Sequence, residues 1–107
     1  MEQEKKISED EALFVQLVLM FQAAAMQQLG KLINPLNGKT ERNLEQAKFS
    51  IDILDMLKSK TEGNLSEEEK RLLEHVVYEL QMNYLDELKN KEKQPEKDTP
   101  KDKPTSN

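Results

Sequence analysis

The sequence predicts an all-α fold: a small helical bundle of three main helices, at about residues 9–32, 41–62 and 67–90, with a disordered C-terminal tail. Three observations lead there. Two serines, Ser8 and Ser66, stand three residues ahead of a glutamate at the start of an apolar-periodic stretch. Apolar residues recur at helical spacing in each stretch, and no alternating strand pattern competes with them. The stretches are separated by turn chemistry, Asn34-Pro35-Leu36-Asn37-Gly38 and Gly63-Asn64.

The first helix opens at Ser8-Glu9-Asp10-Glu11, whose acids suit the positive end of the helix dipole. From Ala12 to Gly30 it then reads ALFVQLVLMFQAAAMQQLG, without a charge, in a chain that is 35% Asp, Glu, Lys and Arg. Its apolar positions go nearly all the way round, with only Gln16, Met20, Ala23 and Gln27 as a weakly polar stripe, so the pattern predicts burial on every side. A membrane span is a poor reading, because hydrocarbon does not satisfy the amides of Gln16, Gln22, Gln27 and Gln28. Protein is the expected cover. Val15 and Leu17 lie about 160° apart on the helix, so one side is expected to face its own chain and the other a second copy. The residues expected to mediate that self-association are Val15, Leu17, Leu19, Met20 and Phe21. A two-fold dimer, packed as a helical bundle or coiled coil, is the expected oligomer.

For the second helix Thr40 is the candidate cap, after Pro35 has barred continuation of the first. Leu44, Ala47, Ile51 and Leu54 share one face and Phe49, Ile53, Met56 and Leu57 another, leaving Lys48, Asp52, Asp55, Glu45 and Ser59 on an arc for water. Gly63 is expected in a left-handed conformation as that helix closes. The third helix puts Leu72, Leu73, Val76, Val77, Leu80, Tyr84 and Leu88 on one arc of about 160°. Tyr78, Met82 and Leu85 form a thinner stripe opposite, a candidate surface for an unidentified protein partner. Short connections predict antiparallel neighbours.

The organisation expected is a helical domain over 1–88 and a charged, proline-containing tail over 89–107. Pro95, Pro100 and Pro104, with no apolar residue near them, leave the tail too little surface to offset its ordering entropy. A domain of about 85 residues has a core of marginal size, so covering the first helix matters. Residues 1–88 hold 10 Lys/Arg against 17 Asp/Glu, a net of −7, which repels phosphate backbones and argues against nucleic acid. The start lacks a signal-peptide pattern, and the cytoplasm is the expected location.

The catalytic inventory is short. There is no cysteine, His75 is the one histidine, and the three glycines are not spaced to cradle phosphate. His75 has Glu74 beside it and Glu79 one turn on. The bundle di-iron pattern wants Glu three residues before His, and that position is Leu72. Glu67, Glu68 and Glu69 read as first-turn dipole partners. The sequence therefore predicts no catalytic residue, no metal site and no cofactor, and a non-enzymatic, self-associating interaction module. Two alternatives stand beside it: a peripheral membrane binder using the first helix, and a metal-dependent hydrolase around His75.

The "QLG" closing the first helix, "NLEQAKFSID", the junction "DMLKSKTEGNLSEEE" and the closing "YELQMNYL" together resemble a bacterial family, the domain of unknown function 1844 family. The resemblance covers residues 14–88. It implies a small helical, cytosolic bacterial protein and carries no catalytic or binding residue across.

Overall fold

The computed structural model describes residues 8–93, which form α1 (Glu9–Gln28), α2 (Leu44–Lys60) and α3 (Glu67–Lys93) with no strand among them. Both serine caps form. Ser8 Oγ accepts from Glu11 N at 3.0 Å, and at α3 the exchange is reciprocal: Glu69 N donates to Ser66 Oγ at 3.1 Å while Ser66 N donates to the Glu69 carboxylate at 2.8 Å. That reciprocity holds Glu69 in a buried position without an orphaned charge.

Four helix ends differ from the sequence expectation, the smallest difference being that α2 closes at Lys60 rather than residue 62. α1 stops at Gln28 rather than near residue 32, because Gly30 turns left-handed at φ 81°. Gly30 N then donates to Gln27 O at 2.9 Å and Lys31 N to Met26 O at 2.8 Å, a Schellman closure that consumes the last carbonyls. α2 begins at Leu44 rather than residue 41, and Asn43, not Thr40, is its cap, accepting from Gln46 N at 3.1 Å. The reason is non-local: Asn43 N donates back to Gln28 O at 2.7 Å, and Arg42 pairs in an antiparallel bridge with Leu29, so this segment is extended. α3 runs to Lys93, beyond residue 90 and five residues into the segment read as tail; residues 94–107 lie outside the described residues. Gly63 is left-handed as expected, at φ 86°, but in the turn after the helix end, where Asn64 N donates to Thr61 O at 2.9 Å.

The contacts at the helix ends fix the topology. Ser66 at the start of α3 donates to Glu11 at the start of α1, and Glu87 near the end of α3 meets Lys31, just past the end of α1, and Arg42, just ahead of α2. α1 and α3 therefore run parallel, with α2 antiparallel to both. One core lies between them: Val18, Ala25 and Leu29, then Leu44, Ala47, Ile51 and Leu54, then Leu73, Val76, Val77 and Leu80. Ala25 and Ala47, both fully buried, are small enough to let their helices approach closely. The arc read on α3 is the one that turns inward, with Leu72, Tyr84 and Leu88 packed on its rim.

The loop from Gly30 to Asn43 is closed by its own asparagines. Asn34 Oδ1 accepts from Leu36 N at 2.9 Å, Asn34 O accepts from Gly38 N at 2.7 Å, and Asn37 Oδ1 accepts from Lys39 N at 3.0 Å. Its base is tied to α3, where the Glu87 carboxylate takes Lys31 at 2.8 Å and Arg42 at 2.8 Å. Burial would raise the pKa of Glu87, but the bonds from Lys31 and Arg42 prevail and hold it below the ordinary carboxylate value.

Candidate interaction surface

α1 buries one side and leaves the other to water. The amide of Gln28 marks where it meets α2, donating to Gln46 Oε1 at 3.4 Å and accepting from the Ser50 hydroxyl at 2.7 Å. At 100° per residue, the core positions Val18 and Ala25 lie about 60–80° to one side of that mark. Leu13, Leu17, Met20 and Ala24 lie within about 80° on the other side. These four follow a 4-3-4 spacing, which draws a straight apolar seam along a helix. Leu13, at 65% exposed, and Met20, at 59%, have no large cover, and Leu17 is also exposed.

α2 repeats the arrangement. From Gln46 its core residues Leu54 and Ala47 lie to one side, while Phe49, Ile53 and Met56, spaced 4-3, lie within about 80° on the other. Phe49 is 68% exposed, Met56 is exposed and Ile53 is half-buried. Because the two seams flank one helix contact on the side away from the core, they make one apolar face, the outer face of the α1–α2 hairpin. Its α1 half has no charge from Ala12 to Gly30, and on its α2 edge Lys48 and Asp52 neutralise each other at 2.8 Å.

The residues expected to mediate self-association do not form one patch. Leu17 and Met20 belong to the outer face. Phe21 packs against the core and Val15 is half-buried. Leu19 is exposed, but it sits about 180° from Gln28, on the flank away from α2. Leu13, Phe49 and Met56 were not among the expected interface residues. The signal for them is in the sequence: the 4-3 spacing of Leu13 with Leu17 and Met20, and the second apolar face of α2.

Tyr78, Met82 and Leu85 are all exposed and do share one line of α3. His75 stands in the same line, its Nε2 3.7 Å from Glu79 Oε1 in open solvent. Among the described residues no group of three or more His, Asp or Glu is arranged to hold a metal ion. A recess of about 370 Å3 lies at the α2–α3 junction, and Lys58, Glu62, Lys70 and Glu74 are among its lining residues. Leu65 and Leu73 form its apolar floor, which belongs to the core and its rim. No helix of the described residues is long and apolar enough to cross a membrane.

The family model described as Domain of unknown function (DUF1844) matches residues 11–86, which span the seams of both α1 and α2 and the stripe on α3. No curated protein and no solved structure matches the chain.

Proposed function

The chain belongs to the DUF1844 family, and we propose that it works without catalysis, as a bacterial cytoplasmic module that pairs with a second copy of itself. One observation supports the reading above the rest: Leu13, Leu17 and Met20 line up on α1 with water over them. Each apolar side chain of that size gains roughly 1.5–3 kcal/mol when fully buried, a large share of the net stability of a small domain. A dimer with a two-fold axis is the simplest assembly that covers them.

Light scattering on the purified full chain is the test. The expected mass is twice 12.4 kDa, falling to 12.4 kDa in Leu17→Lys with the helical circular dichroism retained. A wild-type chain that stays at 12.4 kDa at micromolar concentration removes the proposal. Flotation of that monomer with liposomes would replace it with the peripheral membrane reading.

A further inference from the structure

Resting on the self-association just proposed, we infer that the second copy docks on the joint outer face of α1 and α2, with α3 and its Tyr78 stripe left outside the contact. The face is built by two helices at once. Leu13, Leu17 and Met20 supply one seam; Phe49, Ile53 and Met56 supply the other. Face-to-face packing of two such hairpins makes a four-helix arrangement in which each seam fills the groove beside another.

Area separates this face from its rival. The five large exposed side chains of the outer face, between 37% and 68% exposed, leave about 500 Å2 of apolar surface per copy. Two copies facing one another then remove about 1,000 Å2 from these side chains alone, the threshold of a biological interface before any flanking residue is added. The stripe on α3 offers three side chains and about 300 Å2.

Charge allows the pairing. Under a two-fold axis each residue meets the same patch of its partner, so a self-pairing surface must be uncharged or self-complementary. The α1 half of the outer face is uncharged from Ala12 to Gly30, and its α2 half carries both signs, with Lys60 within the arc of the seam, Glu45 beside Met56 and the Lys48–Asp52 pair at the edge. The α3 stripe carries both signs too, with Arg71 and Lys89 on its line among Glu74, Glu79 and Asp86, so its smaller apolar area is what sets it behind the outer face.

Other covers fit poorly. Residues 94–107 contain no apolar side chain apart from proline and have nothing to lay on such a face. An interfacial helix binding anionic lipid carries Lys and Arg along its polar side, and α1 has neither. A second copy of this chain is the occupant with matching length and spacing.

The chain has no cysteine, so single-cysteine variants of the full chain report one position each. Maleimide labelling of Met20→Cys, Phe49→Cys and Tyr78→Cys is compared at concentrations above and below the dissociation seen by light scattering. For Met20→Cys and Phe49→Cys the labelling rate is expected to drop about tenfold on assembly, while Tyr78→Cys labels at one rate throughout. Cysteine is smaller than each residue it replaces at these exposed positions, and circular dichroism checks that the helices remain. If Met20→Cys is protected and Phe49→Cys is not, or if Tyr78→Cys is the protected one, the joint face is overturned and self-association stands. If no position is protected and the mass stays at that of one chain, both proposals fall.

Discussion

α1 and α3 each bury a single stripe, and they differ in what lies behind it. Behind the core stripe of α3 stand Glu74, His75, Glu79, Gln81 and Asp86, among which Tyr78, Met82 and Leu85 are scattered. Behind that of α1 there is no charge for nineteen residues, Ala12 to Gly30. Water completes the shell of α3, so hydropathy pattern and burial coincide there. For α1 the pattern describes a helix covered on all sides, while one copy of the chain covers only the side holding Val18, Ala25 and Leu29. The apolar pattern of α1 thus exceeds the burial that one copy of the chain provides.

The inner and outer faces of α1 meet at adjacent residues. Val18 is 0% exposed and Leu17 is exposed, one step along the same helix. Val18→Asp is expected to cost more than about 4 kcal/mol, enough to unfold the domain in a thermal melt, because it buries a charge with no partner. A folded, cooperative Val18→Asp would show that the inner face of α1 is not the core.

The inward stripe of α3 is not all apolar: Glu87, one heptad past Leu80, is buried on it. Glu87→Gln is expected to cost about 1–3 kcal/mol at pH 7, since Arg42 and Lys31 lose the charged half of their bonds. The folded pKa of Glu87 lies below its ordinary value of 4.5, so the extra stability is present above that value and is lost as pH falls through the folded pKa. Urea denaturation at pH 7 and pH 3 should therefore show the gap between wild type and Glu87→Gln narrowing in acid. A gap that is constant with pH would mean the carboxylate's charge contributes nothing.

The smallest effect is expected on the α3 stripe. Tyr78→Ala should change stability by no more than about 0.5 kcal/mol, measured by the same denaturation, as befits a side chain already in water. A larger loss would mean that this stripe too has a cover, and the contrast between the two helices would disappear.

What could be read from the sequence follows from how far the deciding bond reaches. Ser8 and Ser66 announce their helices because a cap closes within three residues. The inward arc of α3 is equally local, being a matter of spacing. The end of α1 and the start of α2 are set by Asn43 bonding back to Gln28 and by Arg42 reaching Glu87, partners that no window along the chain contains. The candidate surface divides the same way. That α1 has two apolar sides is plain from Val15 and Leu17, but which side turns inward depends on where α2 and α3 come to rest. Hence Leu19 and Met20, neighbours in sequence, finish on different flanks, and Phe49 joins Met20 only once Gln28 has met Gln46.

The reach of those bonds also sets an order in time. Ser66 to Glu11 closes 55 residues and Arg42 to Glu87 closes 45, whereas the Ser66 to Glu69 exchange closes three. Long closures carry their entropy cost before any contact repays it, so helices and caps are expected to form early and both long closures, Ser66 to Glu11 and the Glu87 clip, late. A bond made after the barrier on the way in is broken before it on the way out. Loosening the clip should leave the refolding rate nearly unchanged and place almost the whole loss in faster unfolding, which makes one carboxylate near the end of α3 a determinant of how long each folded molecule lasts.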